Sequence, residues 1–269
     1  MLRIEGLGFG YSDGPLLFSD VNFTIEAGAS VAVVGRNGAG KSTLFRLMNG
    51  LLQPKKGRVL VGDVDTRDTP AHILARTVGS VFQSPEQQIF EARVRDEVEF
   101  GPRQFGWNRT KIEERTQEAL ARTGLTESAD AHPLDLDRAS RRFVALASVL
   151  SMQPRLLLLD EPQQGLDFQS VKRLEKILQE EREKGTAAVF ISHEMEFVAR
   201  NANRILVMGE GRLLADSDPT QILSDEELVQ RAGLEIPAPL AMSKALGLPP
   251  ALTTIEFVRS WKARLKGQG

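Results

Sequence analysis

Apolar and polar residues alternate along this chain with two different periods, and the change of period divides it. From residue 3 to residue 34, short apolar runs alternate with turn signals at Ser12-Asp13-Gly14-Pro15 and Glu26-Ala27-Gly28, which predicts β-strands joined by tight turns. Ser30–Val34 is an unbroken apolar run and predicts a buried strand, with a helix over 43–49 after it. Two more strands are expected over 57–61 and 77–82, separated by a polar connection through Asp63 and Pro70. From residue 84 to about 151 the spacing becomes helical. Thr110-Lys111-Ile112-Glu113 reads as a capping box, Ile112, Thr116, Ala119 and Leu120 continue the helix, and Gly124 stops it. A second helix is expected from about Arg138 to Ser151, and Gly101-Pro102 and His132-Pro133 mark loops.

The pattern then returns to strands. Arg155-Leu156-Leu157-Leu158-Leu159-Asp160-Glu161-Pro162 predicts a central strand covered on both faces and ending in two acids. Phe168–Glu183 is a charged amphipathic helix, 186–192 another buried strand, and His193 stands where that strand ends. A hairpin over 205–208 and 212–215, turned by Gly209-Glu210-Gly211, precedes two short helices started by Asp218-Pro219-Thr220-Gln221 and Ser224-Asp225-Glu226-Glu227. Pro237, Pro239, Pro249 and Pro250 break the tail, and Thr253-Thr254-Ile255-Glu256 caps a last helix to about Lys266. No internal repeat or low-complexity segment is evident.

Composition narrows the classes. With 269 residues, 41% apolar and 26% charged, the chain suits one large or two modest globular domains. A net charge of −2 gives no general drive toward nucleic acid, which is not expected as a partner. The absence of cysteine excludes disulfides and thiolate metal sites. Met1-Leu2-Arg3-Ile4-Glu5 carries no signal-peptide core and no apolar run is long enough to span a bilayer, so a membrane role is expected only through a partner.

The chemistry centres on Gly35-Arg36-Asn37-Gly38-Ala39-Gly40-Lys41-Ser42-Thr43, which matches G-x-x-x-x-G-K-[ST] at every fixed position, between a predicted strand and a predicted helix. Gly35, Gly38 and Gly40 allow the tight turn that aims backbone N–H groups at an anion; Lys41 would reach terminal phosphates and Ser42 would hold Mg²⁺. Asp160, at a strand end downstream of such a loop, is expected to help hold Mg²⁺, with Glu161 orienting or deprotonating the attacking water. Tyr11 has two readings, a purine-stacking ring or a half-buried strand aromatic. His193 is either a structural hydrogen bonder or a group placed on the phosphate-loop edge of the sheet.

With these motifs in one order, the chain resembles ATP-binding-cassette ATPases over most of its length. The resemblance implies an α/β fold: a phosphate-loop NTPase core with a RecA-like sheet, an N-terminal antiparallel β subdomain, an inserted helical subdomain and a short C-terminal helical extension. It places the cassette at 1–216, with the helical subdomain at about 84–151, and the extension, a dimerisation element, at 217–269. By position Tyr11 resembles the adenine-stacking aromatic, Gln83 the glutamine linking Mg²⁺ and water to the transporter interface, and Asp160 the metal-holding acid. Glu161 resembles the catalytic carboxylate, Gly165-Leu166-Asp167 the loop crossing to a partner subunit, and His193 the switch residue contacting the γ-phosphate. Phe82-Gln83-Ser84-Pro85-Glu86-Gln87-Gln88-Ile89-Phe90 looks like the segment of energy-coupling-factor ATPases, importers of vitamins or of cobalt and nickel ions, and Gly247-Leu248-Pro249-Pro250-Ala251-Leu252-Thr253 is similar to their tail.

One departure stands out. Where the family has L-S-G-G-Q and a basic pair, this chain has Leu136-Asp137-Arg138-Ala139-Ser140-Arg141-Arg142. The signature converges on a nucleotide held by the opposite subunit, so Asp137 and Arg138 are nucleotide-facing candidates in an impaired composite site. The resemblance implies ATP and Mg²⁺ as cofactors. It also implies as partners a second cassette ATPase, a membrane scaffold subunit and a substrate-binding membrane subunit, at the cytoplasmic face of the cell membrane, and the departure at Asp137 leads to the expectation that the second ATPase is a non-identical subunit. Other transporters' ATP-binding subunits, soluble cassette ATPases and regulatory nucleotide binders are the competing readings. The long coiled-coil insert of DNA-repair relatives and the tandem duplication of ribosomal ones are missing.

Overall fold

In chain order the elements are β1 (Leu2–Phe9), β2 (Phe18–Ile25), β3 (Ser30–Val34), α1 (Lys41–Met48), β4 (Lys56–Val61), β5 (Val64–Asp65), α2 (Ala71–Leu74) and β6 (Val78–Val81). Helices α3 (Val94–Gln104), α4 (Arg109–Thr123) and α5 (Arg138–Ser151) follow, then β7 (Leu156–Asp160), α6 (Phe168–Glu183), β8 (Ala187–Ile191), α7 (Met195–Asn201), β9 (Arg204–Gly209) and β10 (Arg212–Ser217). The chain closes with α8 (Pro219–Ser224), α9 (Glu226–Ala232), α10 (Ala238–Ala245) and α11 (Thr254–Lys266). This computed structural model describes residues 1–12 and 14–266; Asp13, within the first expected turn, lies outside the described residues.

Two sheets form. The smaller runs β2-β1-β4-β5, antiparallel throughout; the larger runs β10-β9-β3-β8-β7-β6, with parallel pairing from β9 to β6 and the β9–β10 hairpin at one edge. Every residue of β3, β7 and β8 is buried. Alternation along each strand explains why four leucines follow one another: Leu157 and Leu159 join a core cluster with α5 and α6, while Leu156 and Leu158 join the cluster under α1 and the small sheet. Because the central strands run parallel, the carboxyl ends of β3, β6, β7 and β8 open on one edge, where ligands of such sheets bind.

Several local expectations needed correction. Gly101-Pro102 does not form a loop but lies within α3. Pro102 has no N–H for the carbonyl of Val98, and the Ser151 hydroxyl donates to that carbonyl instead, at 2.7 Å. The start of α4 is capped by Asn108, whose side chain accepts from Lys111 N–H, so Thr110 lies inside the helix. The connection through Asp63 and Pro70 holds β5 and α2. Pro237 and Pro239 start α10 rather than breaking the tail, because first-turn N–H groups have no helical partner to lose. The cap of α11 is as expected: the Glu256 carboxylate accepts from Leu252 and Thr253 N–H, and Thr253 Oγ1 from Glu256 N–H.

Candidate active site

The phosphate-loop pattern leaves β3 through Gly35, whose φ of 142° is open to glycine and where a Cβ would stand 2.1 Å from the Met208 carbonyl oxygen of neighbouring β9. It re-enters helix through Gly40, at φ 88°, against the Phe18 ring. Helix α1 therefore starts at Lys41, with its first-turn N–H groups turned out of the helix at the sheet edge. Lys41 is 7% exposed, and its Nζ donates to the carbonyls of Gly35 at 2.8 Å and Arg36 at 3.1 Å. Burial holds its ammonium below the usual lysine range, opposed by the carboxylates of Glu161 and Asp160.

Asp160 ends β7 and is buried. Burial pushes its carboxyl up, against a hydrogen bond from the Ser42 hydroxyl and the charge of Lys41. Glu161 follows with φ 50°, a left-handed conformation that costs a side-chain-bearing residue roughly 1–2 kcal/mol. Backbone bonds hold it there: its N–H donates to the Ile191 carbonyl at 3.1 Å and its carbonyl accepts from Arg142 Nη1 at 2.8 Å. Its Oε2 accepts from Gln163 Nε2 at 3.0 Å. Its Oε1 is buried, makes no hydrogen bond among the described residues, and lies 3.4 Å from Nε2 of His193. Burial raises this carboxyl also, with the Gln163 hydrogen bond and the neighbouring His193 acting against it.

One cleft of about 310 Å³ collects Asn37, Gly38, Gly40, Lys41, Ser42, Thr43, Gln83, Asp160, Glu161 and His193. Tyr11 adjoins it beyond the end of β1. Its hydroxyl is 2.9 Å from Thr43 Oγ1, its ring rests edge-to-face on Phe9, and it is half exposed, which suits both a purine-stacking ring and a half-buried aromatic. Asp137 and Arg138 lie apart from the cleft, at the exposed start of α5. Asp137 caps that helix: Oδ1 accepts from Ser140 N–H at 2.8 Å and Oδ2 from the Ser140 hydroxyl at 3.1 Å, and these bonds hold its carboxyl below the usual range.

The sequence reading missed four side chains. Arg142, buried on α5, reaches the Glu161 carbonyl and lies 3.5 Å from that of Gln83. Gln163 bridges Glu161, Ser192 and Glu194. Gln88 ties the segment after β6 back to that strand, accepting from Phe82 N–H and donating to the Ser80 carbonyl. Buried Glu97 accepts from the N–H groups of Phe90 and Glu91. The basic pair Arg141-Arg142 and the segment over 82–90 marked the places of Arg142 and Gln88 but not their contacts, and Gln163 and Glu97 left no signal.

The residues present fit a nucleotide and its metal. Among the described residues no three His, Cys, Asp or Glu side chains make a metal site of their own. Mg²⁺ needs none, since it takes one or two protein oxygens together with phosphate and water. The Ser42 hydroxyl and Asp160 carboxylate, side by side on this cleft, supply such oxygens, with the Gln83 side chain on the same cleft.

A parallel sheet with a phosphate loop on one strand end and a buried pair of carboxylates on another defines a phosphate-loop nucleoside triphosphatase. The sequence profile described as "ABC transporter" matches residues 18–164, and the chain belongs to that family of ATP-binding ATPases. It is 33% identical to the energy-coupling factor transporter ATP-binding protein EcfA2 of Caldanaerobacter subterraneus over 268 residues, 95% of this chain and 94% of that one. It is also 33% identical to EcfA1 of the same organism over 274 residues, 95% and 96% of the two chains. Among solved structures it matches CbiO1 of Clostridium perfringens, described as part of the ABC transporter complex CbiONQ. The TM-score is 0.77, with 32% identity over 91% of this chain and 98% of that one.

Proposed function

We propose that this chain is the ATP-hydrolysing subunit of an energy-coupling-factor importer of a vitamin or a transition-metal ion, held at the cytoplasmic face of the membrane by a scaffold subunit that works with a substrate-binding membrane subunit. The observation that carries hydrolysis is the buried Oε1 of Glu161, an acceptor without a hydrogen bond among the described residues, on the cleft that also holds Lys41. In this reading the loop N–H groups and Lys41 bind the phosphates, Ser42, Asp160 and Gln83 hold Mg²⁺, and Tyr11 stacks on the base. Mg²⁺ supplies charge stabilisation at the phosphates. Glu161 takes the proton of the attacking water and His193 orients both.

Attachment through partners agrees with the absence, among the described residues, of any helix long and apolar enough to cross a membrane. The scaffold's docking place is the apolar groove of about 370 Å³ lined by Phe82, Phe90, Phe100 and Phe105. Phe90 stands 64% exposed there, because Glu97 and Gln88 fix the backbone around it. A second ATPase fits the tail, where α11 exposes Ile255, Val258 and Leu265. That partner is a different chain with an intact signature, since Asp137 brings an ionised carboxylate toward the partner's nucleotide and spends its oxygens capping α5. The existence of paired EcfA1 and EcfA2 relatives in one organism agrees with this.

The test is phosphate release by the chain alone and with candidate scaffold, binding and ATPase subunits. The proposal expects little activity alone and strong activity in the mixed complex. A fully active homodimer contradicts it.

A further inference from the structure

Gln163 is 3% exposed and lies two residues beyond Glu161 in the turn that follows β7. Its Nε2 is 3.0 Å from Glu161 Oε2, 3.0 Å from Ser192 Oγ and 3.3 Å from Glu194 Oε1. Two of these neighbours are carboxylate oxygens, which only accept, so the amide must present its nitrogen here and not its oxygen. Ser192 Oγ is fixed in turn, accepting from Glu194 N–H at 3.0 Å. Ser192 and Glu194 are the chain neighbours of His193, so one amide group ties the carboxylate at the end of β7 to the segment that carries the histidine after β8. With Oε2 engaged, Oε1 is the glutamate oxygen left for a proton, and it is the one nearest His193.

We propose that Gln163 is a positioning residue for ATP hydrolysis: its buried amide nitrogen holds Glu161 Oε2 and locks it to Ser192 and Glu194, so that Oε1 and the His193 ring keep a fixed mutual geometry. A glutamate side chain has three rotatable bonds, and small misplacement of a reacting group costs orders of magnitude in rate. Among the described residues Gln163 hydrogen-bonds to no cleft-lining group except Glu161, so its role falls on chemistry and not on nucleotide capture. The proposal rests on Glu161 being the proton acceptor, and the experiment separates the two.

The experiment measures kcat and KM for MgATP by phosphate release from the full chain in its assembled complex, with nucleotide binding followed separately by fluorescent ATP. Gln163→Met, of similar volume and without donors, is expected to lower kcat about 10- to 100-fold, the loss of a hydrogen bond to a charged group, with KM and nucleotide affinity within about twofold. Gln163→Glu, of the same shape but presenting acceptors to a carboxylate, is expected to lower kcat further. Ser192→Ala removes one anchor of the amide and is expected to lower kcat severalfold at unchanged KM, which keeps the test open if Gln163→Met does not fold. Native kcat in Gln163→Met or in Ser192→Ala overturns the proposal, as does a loss of nucleotide affinity that matches the loss of rate. Glu161→Gln is the control: if it hydrolyses ATP normally, the underlying reading of Glu161 has failed, whereas an inactive Glu161→Gln beside a normal Gln163→Met refutes the role of Gln163 alone.

Discussion

Arg142 Nη1 lies 2.8 Å from the backbone oxygen of Glu161 and Nη2 lies 3.5 Å from that of Gln83, so one buried guanidinium on α5 holds the two strand-end loops that flank the cleft. Arg142→Met leaves a buried carbonyl without its donor, at a cost of about 1–3 kcal/mol in urea unfolding. Because it also frees the left-handed turn at Glu161, ATPase turnover is expected to fall about tenfold or more while nucleotide affinity holds. Equal losses of affinity and turnover would show that the arginine acts on binding.

Asp137 permits a test of the signature that separates charge from capping. Asp137→Ala is expected to cost about 0.5–1 kcal/mol, the low end for a cap because the site is exposed. The sign with pH follows from its lowered carboxyl: the cap's contribution is present above the ordinary value of 3.8 and is lost as pH falls through the lower folded value. Thermal melts of variant and parent should therefore converge in strong acid. Asp137→Ser keeps a capping oxygen and removes the charge, and it is expected to raise hydrolysis at the partner's site severalfold in the mixed complex.

Phe90 is exposed and packs edge-to-face on Phe100, with ring centres 4.7 Å apart. Phe90→Glu is expected to leave the melting temperature within about 3 °C of the parent, as for a surface change, and to abolish co-purification with the scaffold. A misfolded variant would return Phe90 to the core, and a folded one that still binds scaffold would move the docking place elsewhere.

Ser151 makes a prediction about stability alone. Its hydroxyl fills the carbonyl that Pro102 leaves open, so Ser151→Ala should cost about 1–3 kcal/mol, read from denaturant midpoints.

The same pair shows where sequence reasoning stopped. Strands β3 and β7 and helices α5 and α6 were legible because their signals are local: apolar runs covered on both faces, and helical spacing of apolar and charged residues. Helix α3 was hidden because Pro102 reads as a breaker, and the hydroxyl that relieves it belongs to another helix. The phosphate loop, Asp160, Glu161 and His193 were legible as strand-end residues, and the parallel pairing of β3, β8 and β7 puts those ends on one edge. Gln163 carries no motif, and the basic pair marks Arg142 without its role, since each acts through a neighbour that only the assembled sheet brings near.

In the proposed mechanism this chain's own cleft hydrolyses ATP with Glu161 as proton acceptor. Phosphate release by the complete transporter complex carrying Glu161→Gln in this subunit, compared with the equivalent change in the partner ATPase and with Lys41→Ala here, tests it most directly. Glu161→Gln is expected to bind ATP normally and to lose about 100-fold or more of turnover, the partner's change to matter less, and Lys41→Ala to weaken nucleotide binding itself. Native-rate hydrolysis by Glu161→Gln in that complex would contradict the mechanism.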